Sequence, residues 1–253
     1  LSYIRFISRL FSHTFAVLTR GGAYGMLRPR TPFCLRGGAP LFTPIDLETW
    51  PRRAVFENFL ELDCSYSLTV PLSIAPLLRY VRGRGLRLYP ALTWAVTTAV
   101  NRHKEFRMAY DREGRLGYYG LVHPEYTVLD PATHNMDSLN TAYTPSFPDF
   151  YQAMTEDLDR FQRDGTRTVS RENSILLSCV PWFSYTGVSF RPKSSLMFLR
   201  PMFVWGRYQE QGEDVTLPFT LQVHHAAADG YHCHLLLEEL RGLLERPEES
   251  FAL

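Results

Sequence analysis

Apolar and polar positions alternate from Phe59 to Val70, with Leu60, Leu62, Cys64, Tyr66, Leu68 and Val70 on one side. That period of two predicts a half-buried strand. A helix is expected after Pro71, with proline in its first turn and Gly83 and Gly85 as the stop. Tyr89 to His103 carries a helical stripe of Leu92, Ala95, Val96, Ala99 and Val100. Short strand-like pieces follow at Arg107 to Tyr110, Gly117 to Val122 and Tyr126 to Leu129, with Glu113-Gly114 as a turn. Phe147 to Gln162 has the pattern of an amphipathic helix opened by Pro148-Asp149. The last third is β-rich: Ser174 to Pro181, Phe183 to Phe190, Met202 to Tyr208 and Val215 to His225, divided by Pro181, Arg191-Pro192 and Gln211-Gly212-Glu213-Asp214. A final helix is predicted from Gly230 to Glu245, with Leu235, Leu236, Leu240, Leu243 and Leu244 on its apolar face. Helices do not alternate strictly with strands, so the expected class is α/β, a two-layer sandwich with a mixed β-sheet flanked by helices.

Composition adds exclusions. The chain has 253 residues, 45% hydrophobic and 21% charged, which rules out disorder and collagen-like repeats and leaves room for a sizeable core. A net charge of +1 sets up no field for nucleic acid or an anionic membrane. Cys34, Cys64, Cys179 and Cys233 form no CxxC pair and are expected to be reduced, packed thiols of a cytoplasmic protein. Residues 1–40 stand apart: Arg5, Arg9, Arg20, Arg28, Arg30 and Arg36 occur there without one carboxylate, since the first acid is Asp46. They are expected to be a basic leader, non-native or disordered, ahead of a catalytic domain at 41–253. Subtracting those six arginines from +1 leaves −5 on the domain. Their apolar residues are interrupted by Arg5, Arg9 and His13, far from the ~18 uninterrupted positions of a membrane span.

Four of the eight histidines fall between His224 and His234, within Gln222-Val223-His224-His225-Ala226-Ala227-Ala228-Asp229-Gly230-Tyr231-His232-Cys233-His234. The segment sits where a strand ends and a helix begins, and three chemistries are open to it. Zinc could take imidazole and thiolate ligands there. Against that, adjacent strand residues point to opposite faces, and the chain has no HExxH helix. The histidines could instead cap the helix and pack in a core. The third possibility is general-base catalysis by one imidazole, whose ordinary pKa near 6.5 suits proton abstraction at neutral pH. Three alanines permit close approach of a substrate, Asp229 can fix the turn, and Gly230 relieves the bend. The chain contains no GxSxG nucleophile elbow, which disfavours a serine hydrolase of that type.

This segment resembles the HHxxxDGxH signature of the chloramphenicol acetyltransferases. The HxxxDG part alone is shared with dihydrolipoamide acyltransferases and peptide-synthetase condensation domains. Further blocks narrow the resemblance: Phe42 to Arg53 with Phe56-Glu57, Phe106 to Ala109, Val122 to Val128 and Ser178 to Thr186. It runs from about residue 41 to 245 and does not cover 1–40. The resemblance implies transfer of acetyl from acetyl-CoA directly to a hydroxyl of chloramphenicol, without a metal. It also implies a homotrimer with active sites at subunit interfaces. His225 would be the general base, Ser178 the oxyanion donor, and Arg52 rather than Arg53 the partner of Asp229. Trp182 and Tyr208 would line the coenzyme A channel, and Phe59, Cys64, Tyr66, Gln222 and Val204 the acceptor site. Two positions depart from the family: Val204 stands where a threonine is usual and Phe59 where a tyrosine is. A different hydroxylated acceptor on the same fold is therefore one alternative function, and a non-catalytic drug-binding module is another.

Overall fold

The computed structural model describes residues 41–191 and 199–252. Residues 1–40, expected to form a leader, lie outside the described residues, and Cys34 with them. Strand β1 (Phe42–Pro44) leads to helix α1 (Arg53–Glu61), strand β2 (Ser65–Ser73), and helices α2 (Ala75–Gly83) and α3 (Leu88–Arg102). A 3-10 turn at Lys104–Arg107 precedes strands β3 (Met108–Tyr110), β4 (Leu116–Tyr119), β5 (His123–Leu129) and β6 (Met136–Asn140). Helix α4 (Phe147–Asp164) and strands β7 (Ser174–Val180), β8 (Met202–Gly206), β9 (Gln209–Gln211) and β10 (Asp214–His224) follow. Helices α5 (Gly230–Glu245) and α6 (Pro247–Ser250) complete the described chain. The main sheet has the order β2-β10-β8-β7-β5-β6, with β9 on β10 and a separate small sheet β1-β4-β3. Pairing is mixed: β7 runs parallel to β5 and β8, and β10 antiparallel to β2 and β8. No helix among the described residues is long and apolar enough to cross a membrane.

The strand period sorts β10 between two environments. Phe219, Leu221 and Val223 enter the core with α3 and α5, whereas Thr220, Gln222 and His224 point to the opposite face. That face is polar: Thr220 bonds Thr69, Gln222 bonds Ser67, and Ser178 on β7 bonds Thr127 on β5. On the helical side, α3 is buried continuously from Pro90 to Val100. Each large apolar side chain withdrawn there contributes about 1.5–3 kcal/mol. The helix thus gives the sheet a stiff backing on which the other face can carry chemistry.

Three local expectations are corrected. Phe59 to Glu61 close α1 instead of opening a strand, and β2 starts only at Ser65. Phe56 and Phe59 turn together toward a small apolar cluster with Trp50, Met108 and Ala226, and helical contacts at i,i+3 outweigh the chance alternation of Leu60 and Leu62. The break is made by Asp63, whose φ is +48°. Pro71 lies inside β2 opposite Pro218, and the helix opens later, with Pro76 in the first turn of α2. A proline is tolerated there because β2 is an edge strand. Phe183 to Phe190 makes no strand; Phe190 instead lies over the sheet, bonded through its backbone to the Gln222 side chain. Gly206 permits this covering, since a Cβ there would come within 2.7 Å of Pro218 and 2.9 Å of Tyr185.

Candidate active site

The turn between β10 and α5 separates the two adjacent histidines. The His224 ring is fully enclosed, and its Nδ1 accepts from the Ala226 N–H at 3.2 Å. Its carbonyl accepts from the N–H groups of Ala227 and Ala228 at 2.9 and 3.2 Å. Burial lowers its pKa, against the pull of Asp63, so His224 is a neutral strut of the turn. His225 turns the other way. Its N–H donates to the Cys64 carbonyl at 2.7 Å, and its ring lies parallel to Phe59 with centroids 3.7 Å apart. Tyr66 flanks the same ring at 5.0 Å. One nitrogen, Nδ1, is buried with no hydrogen-bond partner among the described residues.

Asp229 joins this turn to the rest of the fold. Its Oδ2 receives Arg52 Nη1 at 2.8 Å, while Oδ1 caps α5 by accepting the N–H groups of Tyr231 and His232. Burial works to raise its pKa, but the Arg52 bond, the His232 N–H and the nearby charges hold it below the usual carboxylate value. Arg53 points away, to Glu57 and Glu48 on the surface. Tyr66 secures the turn from the sheet, its Oη donating to the Ala228 carbonyl at 3.2 Å and meeting Cys233 Sγ at 3.4 Å. Burial and the Cys233 thiol push the Tyr66 phenol up, which keeps its proton in place. The four clustered histidines diverge, and no group of three or more His, Cys, Asp or Glu gathers to hold a metal among the described residues.

The other candidate residues lie elsewhere on the sheet. Ser178, Val204 and Thr220 stand in one row across β7, β8 and β10. Two strand spacings of about 4.8 Å and five residues of about 3.3 Å place Ser178 roughly 19 Å from His225 within one chain. Beside Val204 opens a cavity of about 390 Å³ lined by Met136, Cys179, Val180, Phe183, Val188 and Phe190, apolar and of small-ligand size. Gln222 supports its wall: its Nε2 donates to the Phe190 carbonyl and its Oε1 accepts from the Phe190 N–H, both at 2.7 Å. Trp182 is 56% exposed and shares an end of the sheet with Tyr208, because the Arg207 N–H donates to the Phe183 carbonyl. Thus Phe59, Cys64 and Tyr66 surround His225, whereas Val204 and Trp182 line the cavity and Gln222 braces Phe190 in its wall.

A family model described as chloramphenicol acetyltransferase matches residues 41–241. The chain belongs to the chloramphenicol acetyltransferase family. It is accordingly an acyltransferase enzyme. A chloramphenicol acetyltransferase of Clostridium perfringens is 37% identical over 82% of this chain and 96% of the relative. One from Campylobacter coli is also 37% identical, over 81% of this chain and 99% of its own length. Among solved structures, a chloramphenicol acetyltransferase superposes with a TM-score of 0.74 at 22% identity, over 80% of this chain and 99% of that one. A probable dihydrolipoamide acetyltransferase from Listeria monocytogenes gives 0.56 at 10% identity, over 84% and 96%. These two likenesses establish the fold of this family member.

Of the cavity's lining, sequence reasoning assigned only Trp182 and Val204 to a site; it missed the rest, among them Met136, Phe183, Val188 and Phe190. The available signal was the apolar run after Pro181, which fills no helical stripe and is ended by Arg191-Pro192. Met136 carried none, because β6 pairs with β5 without a marked alternation of its own.

Proposed function

We propose that this acyltransferase acetylates a primary hydroxyl of chloramphenicol from acetyl-CoA by direct transfer, with His225 as general base. The observation that carries the reading is the β10–α5 turn, where His225 is held by Cys64 and Phe59 and tied through Asp229 to Arg52. His225 takes the hydroxyl proton as the oxygen attacks the thioester carbonyl carbon. Ser178 donates to the resulting oxyanion, a contact of the kind commonly worth ~2.7–4 kcal/mol. Collapse breaks the C–S bond, and the imidazolium returns its proton to the departing thiolate, giving the acetyl ester and free coenzyme A. Trp182 and Tyr208 would hold the coenzyme, and the apolar cavity would take the aromatic part of the acceptor.

The separation of roughly 19 Å, from the strand spacings, keeps His225 and Ser178 of one chain from meeting at one thioester. We therefore place each site between copies in a homotrimer, with His225 facing Ser178 and the cavity of the partner subunit. Protein mixed with acetyl-CoA, chloramphenicol and a thiol reagent is expected to release thiol, and His225→Ala to release none; equal rates would remove His225 as the base. Inactive His225→Ala and Ser178→Ala chains, dissociated and reassembled together, should regain activity at about one quarter of interfaces. No recovery from verified mixed oligomers would overturn the shared site.

Val204 and Phe59 lack a hydroxyl and favour a second reading, the same transfer to another alcohol. A panel of hydroxylated acceptors separates the two, and chloramphenicol ranking far below another alcohol selects the second. Tight drug binding with no thiol release from any acceptor would instead make the protein a binding module.

A further inference from the structure

His232 stands at the third position of α5, seven residues beyond the histidine assigned as base. Its Nδ1 lies 3.2 Å from the Asp229 N–H and 2.9 Å from Asp229 Oδ1. Its Nε2 lies 4.0 Å from Glu105 Oε1 on the 3-10 turn, and the two side chains are only 16% and 17% exposed. Asp229 in turn carries Arg52 and the cap of α5. An ordered line therefore runs from Glu105 through His232 and Asp229 to Arg52, with the loop bearing His225 attached at its middle.

The two short Nδ1 contacts require opposite protonation. A neutral ring with its proton on Nε2 accepts from the Asp229 N–H and faces Glu105 with a donor, closing a reciprocal capping box. A protonated ring loses that bond but donates from Nδ1 to Asp229 Oδ1 and from Nε2 toward Glu105. His232 thus remains bonded to Asp229 in either state, and a carboxylate stands at its far nitrogen in both. Alanine at this position would leave the Asp229 N–H without its side-chain acceptor. The carboxylate would keep Arg52 and the two backbone N–H groups it caps, but would lose the imidazole packed beside its Oδ1.

We propose that His232, backed by Glu105, is a positioning residue of the acyl transfer, fixing the loop of His225 through Asp229. The proposal rests on the acyl-transfer reading above. His232→Ala is expected to lower kcat about five- to tenfold, the effect of one hydrogen bond on the reacting geometry, with KM for both substrates within about twofold. His232→Gln, whose amide can serve the same capping box, should recover kcat to within about twofold of the parent. Hydrogen–deuterium exchange of the 226–233 segment provides a readout independent of turnover: His232→Ala should speed exchange of the Asp229 amide and His232→Gln should not. An unchanged kcat in His232→Ala, or Asp229 exchange equally slow in all three proteins, would overturn the proposal. If His232→Ala does not fold, His232→Gln and Glu105→Gln decide: the proposal requires parental exchange in the first and faster exchange in the second. Thiol release by the parent protein tests the acyl-transfer reading separately, because the exchange comparison stands without it.

Discussion

Asp229 performs two tasks with one carboxylate, and two substitutions separate them. Asp229→Ala removes both the Arg52 ion pair and the cap of α5, whereas Asp229→Asn keeps an N-cap acceptor of nearly equal quality and loses only the charge. The cap is worth about 1 kcal/mol. The ion pair, with side chains 23% and 32% exposed, belongs near the upper end of exposed pairs, about 1 kcal/mol. Part of the Arg52 guanidinium is buried, its Nε and Nη2 having no partner among the described residues, so losing the carboxylate carries an added desolvation cost. Asp229→Ala should therefore lose about 2–3 kcal/mol, or about 4–12 °C in Tm for a domain of this size, and Asp229→Asn about half of that. Turnover in the thiol-release assay should fall in both, because both release Arg52 from the loop. Equal Tm losses would refute the cap assignment, and parental turnover in Asp229→Asn would refute the positioning role of the ion pair. The pH dependence has a definite sign. The folded carboxyl titrates below its unfolded value, so its contribution is complete above the ordinary carboxylate range and is lost as pH falls through the folded pKa.

Tyr66→Phe removes the hydroxyl that donates to the Ala228 carbonyl; about 1 kcal/mol and 2–4 °C in Tm should be lost, and an unchanged melt would show that the bond contributes nothing to stability. His123 is held neutral by burial and by Arg171, its pKa lowered to about 4 from 6.5. Since the folded state binds the proton less readily, its contribution is complete above pH 6.5 and declines as pH falls toward 4. Denaturant midpoints of the parent should drop across that window, and His123→Gln should flatten the drop; parallel curves would assign the acid lability to other groups.

The long elements were legible because their patterns are repeated over several turns or residues. The stripe from Leu92 to Val100 specifies α3 almost to the residue, and the leucines from Leu235 onward specify α5. The structure changes one detail of that face: Leu237 is buried and Leu235 lines a surface cleft. Short elements were not legible in the same way. Residues Phe59 to Leu62 satisfy the strand period and the helix period at once, and only the apolar cluster around Phe56 and Ala226 selects the helix. The segment from Phe183 to Phe190 has strand-like residues but joins no ladder; Arg207 takes the Phe183 carbonyl and the Gln222 side chain takes the backbone bonds of Phe190.

The sequence by itself determined the local build of the β10–α5 turn. Imidazole, three small residues, a capping aspartate and glycine are adjacent in the chain, and local capping physics makes them one unit. It also determined the sheet class, because periodicity depends on near neighbours. Local pattern does not distinguish Arg52 from Arg53; the family resemblance implied Arg52, and the tertiary structure brings it to Asp229 while Arg53 turns to Glu48 and Glu57. Tertiary structure alone decided that His224 is buried and His225 stacked on Phe59, and that Ser178 and Val204 share a row distant from His225. Those outcomes depend on strand order and register across residues far apart in sequence, and no local pattern encodes them.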